Sequence, residues 1–132
     1  MNKIYAIFIM LICLSPIKKV FTKNINYSPS QLSEYIQMNS DGKLNGVSGS
    51  VLIEKYGSPA SELIQPRYKY SGEENIEIES TYRSTYPEFS NVSIKKSIWH
   101  IHEGLNLTSW SHYKNRKWII ICYDFWLPGT LY

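Results

Sequence analysis

Apolar positions along this chain recur first at helical spacing and then at every second residue. Ser28-Pro29-Ser30-Gln31 has the form of a helix start. Ser28 caps it, Pro29 takes the first helical position and Gln31 closes a capping box. Leu32, Tyr35 and Ile36 follow on one helical face, and the turn-rich run Asn39-Ser40-Asp41-Gly42 ends the segment. A shorter helix is expected next, with Ser48 as N-cap and Val47 stapled against Leu52. Its apolar stripe is Val51, Leu52 and Tyr56; Gly57 is the C-cap residue and Pro59 bars continuation.

From Ala60 onward the period is two. Residues 60–70 predict a strand interrupted at Pro66. Glu73–Tyr82 alternates Ile76, Ile78, Ser80 and Tyr82 with Glu77, Glu79 and Thr81, the pattern of a half-exposed strand. Residues 84–93, with Pro87 inside, read as a loop. Ile94–Ile101, Leu105–Tyr113 and Lys117–Trp126 predict three consecutive strands. A three-residue loop His102-Glu103-Gly104, with Gly104 in the left-handed conformation, joins the first two. That register sets Trp99 and Ile101 beside Leu105 and Leu107, and Ile98 and His100 beside Asn106 and Thr108. Asn115-Arg116 makes the next turn, Asn115 tolerating positive φ.

The fold class expected is therefore α+β: two N-terminal helices packed on one face of a four- to five-stranded antiparallel meander sheet. In such a sheet the face away from the helices is normally polar. Yet Trp118–Tyr123 (WIIICY) is apolar on both sides, and all four tryptophans lie in the final 34 residues. Large aromatic side chains dominate binding hot spots. Trp99, Trp110, Trp118, Tyr123 and Trp126 are accordingly the candidate partner-binding residues, shared between core and interface.

Composition changes this picture at the N-terminus. Ile4–Leu14 is an unbroken apolar run of 11 residues after Lys3, stopped by Pro16. It is too short for a bilayer span, which takes about 20 residues, and has the length of a signal-peptide core. Residues 1–22 read as a signal peptide or N-terminal anchor and 23–132 as a single α+β domain. The expected location is periplasmic or extracellular. Ile12 precedes Cys13 where lipoproteins carry a small residue, which argues against lipidation. The leader holds three lysines and no acid, so without it lysine plus arginine falls from 14 to 11, equal to the 11 acids, and the net charge from +3 to zero. A balance without basic surplus speaks against a nucleic-acid partner. Cys122, inside an apolar strand, reads as a small core residue. The sequons at Asn26, Asn91 and Asn106 matter only in a eukaryotic secretory pathway.

A short helix with a Tyr-Gly-Ser-Pro stop (Leu52–Pro59), an Asn-Leu-Thr-x-Trp strand (Asn106–Trp110) and a Lys-Asn-x-Lys-Trp turn leading into an apolar strand (Lys114–Ile121) resemble the SmpA/OmlA (BamE-like) group of small envelope proteins. The architecture also looks similar to the β-lactamase-inhibitor-protein domain. The likeness spans roughly residues 45–126. It implies two helices on an antiparallel sheet and an exported, non-enzymatic protein-binding domain, and it brings no catalytic residues. The chain departs from the group in lacking a convincing lipoprotein cysteine and in the length of residues 84–97.

Other chemistry has thinner support. His100 and His102 alternate on a strand, and His112 with Glu103 or Asp124 would complete a metal set. No nucleophile elbow frames a serine, and no phosphate-binding glycine loop occurs. Glu77 and Glu79 read as a solvated strand face rather than a glycosidase pair. The expected function is an exported adaptor, inhibitor or assembly accessory that binds another protein and has no cofactor. The alternatives are a metal-binding protein or small metal-dependent enzyme using His100, His102 and His112, and a carbohydrate-binding module.

Overall fold

The computed structural model describes residues 26–129, so the leader, Cys13 and the last three residues lie outside the described residues. Among those described, three α-helices and four strands form, in the order α1 (Pro29–Asn39), α2 (Ser50–Tyr56), β1 (Ser61–Pro66), α3 (Glu73–Glu79), β2 (Ser93–His102), β3 (Leu105–Lys114) and β4 (Lys117–Trp126). The strands make one antiparallel sheet in the order β1-β2-β3-β4. No helix among the described residues is long and apolar enough to cross a membrane.

The start of α1 follows from its sequence. The Gln31 backbone N–H donates to Ser28 Oγ, and the Ser28 N–H donates to Gln31 Oε1. The α2 helix begins one residue later than the Ser48 cap predicts. Gly49 occupies the cap position, and Ser48 instead forms an isolated bridge to Ile119. Gly57 ends α2 at a φ of 80°, as expected.

The β2–β3 register is the expected one at Trp99–Leu107, His100–Asn106 and Ile98–Thr108. The turn itself is tighter. His102 pairs with Leu105, and Ile101 becomes a bulge. Gly104 has φ 84°, and a Cβ there would lie 3.3 Å from Leu32 Cδ1, so glycine also lets α1 settle on the turn. At the β3–β4 turn both Asn115 and Arg116 take positive φ, 52° and 62°.

The main departure is Glu73–Glu79, a helix where alternation predicts a strand. Gly72 precedes it, and Glu73 and Glu74 place negative charge in its first turn, where the helix dipole favours it. In the helix Ile78 turns inward while Ile76 turns out to solvent, and Tyr82, just beyond the helix, is buried with Ile78. Asn75 and Glu79, one turn apart, both accept hydrogen bonds from Arg67 Nη2. Arg67 sits in the short 3₁₀ turn after β1, and its Nε donates to the Tyr82 carbonyl. One buried guanidinium thus ties the start of residues 67–82 to its end.

This segment covers the sheet face that the sequence reading left open. On one face, Leu32 and Tyr35 of α1 and Leu52 of α2 pack with Trp99, Leu105, Leu107, Ile120 and Phe125. On the other, Tyr70, Ile78 and Tyr82 pack with Ile94, Trp110 and Ile121. The helices therefore do not all sit on one face. The apolar run of β4 serves both cores through a bulge. Trp110 pairs with Cys122 and Ser111 with Ile120, which leaves Ile121 as the extra residue. Ile120 joins the first core and Ile121 the second.

Candidate binding surface

The five candidate aromatics, expected to be shared between core and interface, are divided between the two faces of the sheet. Trp110 is 1% exposed, inside the second core. Trp99 is buried, and its indole N–H donates to the Gly57 carbonyl at 2.9 Å. Tyr123 donates to Asp41 Oδ1 and accepts from the Leu44 N–H, so it holds the turn after α1. Trp126, half-buried on the Trp110 face, donates to Thr108 Oγ1 at 2.8 Å. Trp118 is half-buried on the α1–α2 face, with Lys95 Nζ 4.8 Å from its ring centroid. Among the described residues Trp99, Trp110 and Tyr123 pack in or against the two cores, as the few core positions of a small domain require, while Trp118 and Trp126 stay half-buried outside both.

The histidines are also kept apart. His100 Nδ1 donates to Asn106 Oδ1, and His102 Nδ1 donates to the Glu103 carbonyl. His112 lies six residues further along β3 than His100's partner Asn106, about 20 Å at ~3.3 Å per residue. Its Nδ1 meets the Tyr82 hydroxyl at 2.6 Å. Among the described residues no three metal-ligating side chains converge. Burial, with Lys114 nearby, holds His112 below the usual imidazole range. This favours the neutral ring, whose tautomer sets which of Nδ1 and the Tyr82 hydroxyl donates. Burial, with Glu77 and Asp124 adding to it, pushes the Cys122 thiol up to about 12, so no thiolate nucleophile forms there. Asn106 is buried, which leaves its sequon no room for a glycan.

Two features of the surface stand out instead, and they adjoin. The first is the contrast between the sheet's edges. The outer edge of β4 is covered by residues 46–49: Gly46 N–H donates to the Ile120 carbonyl, Ile120 N–H to that of Val47, and Gly49 N–H to that of Trp118. The outer edge of β1 has no partner strand among the described residues. Leu63 and Ile64, adjacent on β1 and so on opposite faces of the sheet, are 51% and 56% exposed. No lysine or bulge blunts this edge; Pro66 ends it.

The second is a cleft of about 200 Å³ beside β1 on the α1–α2 face. Ser97, Ser109 and Ser111 line its floor. Ser97 faces Ser109 directly across β2 and β3, and Lys95 faces Ser111. Ile53, Trp99 and Trp118 supply apolar walls, and Ser48, Ser50, Glu62 and Lys117 complete the lining. Lys95 Nζ is 3.7 Å from Glu62 Oε1, which also accepts from Ser97 Oγ at 3.3 Å. Sequence reasoning missed both features. The serines alternate with apolar residues on β2 and β3 and look like an ordinary polar face. Only the covering of β4 makes the freedom of β1 meaningful.

Comparison with known proteins gives no match: no family model, no curated protein and no solved structure matches this chain.

Proposed function

We propose that this protein is an exported, non-enzymatic domain that binds another protein, and that it does so at the outer edge of β1. The observation that carries the reading is the asymmetry of the sheet's two edges. One is covered by the chain's own residues 46–49, and the other has no partner strand among the described residues, beside exposed Leu63 and Ile64. Such an edge accepts an extended segment as an added strand. Backbone hydrogen bonds supply affinity, and alternate side chains supply specificity. The fitting partner segment is extended and offers aliphatic side chains to Leu63 on one face and Ile64 on the other. The apolar leader supports export, and the α1–α2 layer on a four-stranded meander is in keeping with the SmpA/OmlA resemblance. The role of the aromatics changes: they hold the scaffold, and β1 does the binding.

The experiment is affinity capture of the tagged protein from its own cells after mild crosslinking, beside a variant carrying Leu63→Lys and Ile64→Lys. These side chains are exposed, so the variant should fold with an unchanged thermal midpoint. A discrete partner captured by the native chain and at least tenfold depleted with the variant is the expected result. Equal capture by both chains would overturn the β1 assignment.

A further inference from the structure

We propose that the serine-floored cleft is a binding site for a neutral, polyhydroxylated ring, the size of one pyranose unit. This inference stands apart from the β1 edge and rests on the cleft's floor, mouth and dimensions. Ser109 and Ser111 are 2% and 3% exposed, and among the described residues neither hydroxyl has a hydrogen-bond partner. What stays accessible of each residue opens into the cleft, and among the described residues the buried side-chain polar atom left without a partner is a different one, Trp110 Nε1. Two hydroxyls without a protein partner, on neighbouring positions of one strand face and both bordering the same cavity, are free to bind a group that enters it. Each hydroxyl both donates and accepts, as sugar hydroxyls do.

The charges at the mouth favour a neutral occupant. Lys95, the half-buried cation of the lining, is already compensated by Glu62, 3.7 Å away, while its ammonium rests on the Trp118 ring; the other cation, Lys117, is exposed to solvent at the rim. A site for a free anion would leave the cation uncompensated. Here the pair offers a strong donor and a strong acceptor side by side, which suits adjacent hydroxyls on one ring. Trp99, Trp118 and Ile53 give apolar walls against which ring C–H groups can lie. At about 200 Å³ the cleft is smaller than sites for drug-sized ligands, which run roughly 300–1,000 Å³, so it holds one ring rather than a chain of them.

The test is a titration of the purified protein with glucose, galactose, mannose and N-acetylglucosamine, followed by the NMR signal of the Trp118 indole N–H. Acetate and inorganic phosphate serve as anion arms. Saturable shifts with at least one hexose at millimolar concentrations are expected. Ser109→Val, which removes one floor hydroxyl and narrows the cavity, should weaken that affinity at least tenfold. Ser111→Ala, which is small enough not to threaten folding, should weaken it severalfold, with a thermal midpoint within a few degrees of the native one. No saturation with any hexose, saturation with acetate or phosphate instead, or full affinity in Ser111→Ala would overturn the proposal.

Discussion

Arg67 shows how much one side chain decides here. It is 1% exposed, and its guanidinium reaches Tyr82, Asn75 and Glu79 at once. Nothing in a sequence of alternating Ile and Glu announces this, because the pattern says which residues are apolar but not which cation they will surround. The same holds for His112. Its neighbours on β3 look like half-exposed strand residues, and burial comes only when Tyr82 folds over it. A prediction follows from its lowered pKa. The unfolded chain binds a proton at His112 more readily than the folded one, so stability is complete above the unfolded value near 6.5 and declines as pH falls through it. Glu77 and Asp124, raised chiefly by burial, act in the opposite sense over the carboxylate range. The urea midpoint should therefore drop between pH 7 and pH 5.5, and His112→Gln should flatten that drop. A native chain whose stability does not change over this interval would contradict the assignment.

At the scale of elements, the readable parts were those where local chemistry decides. The Ser28–Gln31 capping box, the Gly57 stop and the span of β4 all lie where the residues place them. The β2–β3 register was legible because apolar and polar pairs segregate only one way. Glu73–Glu79 was not legible from its alternation. Seven residues with two isoleucines fit both periods, and the partner that decides between them, Arg67, is an element away. The β3–β4 turn carries a testable cost. Arg116 sits at φ 62°, which disfavours a residue with a Cβ by roughly 1–2 kcal/mol relative to glycine. Arg116→Gly should stabilise the protein by about 1 kcal/mol, read from its urea midpoint, because its backbone then adopts this turn without strain. A loss of stability in that variant would show that the Arg116 side chain contributes more than its conformation costs.

On the scale of the whole molecule, the structure is a four-stranded sheet closed on both faces and along one edge. The concentration of tryptophans near the C-terminus suggests a division between core and interface, but a residue's size does not say which of the two it serves. Only the topology does, by placing residues 67–92 over the face that two helices leave bare. Among the described residues β1 remains open, with Leu63 and Ile64 outward and the serine-floored cleft beside it. Along that edge, in the reading proposed above, a partner chain binds. The most direct test places a photo-crosslinking amino acid at Ile64, on the open edge, and separately at Val47, on the covered one, in the protein's own cells. A discrete adduct of one mass is expected from position 64 and none from position 47. Adducts of equal yield from both, or none from position 64, would contradict that reading.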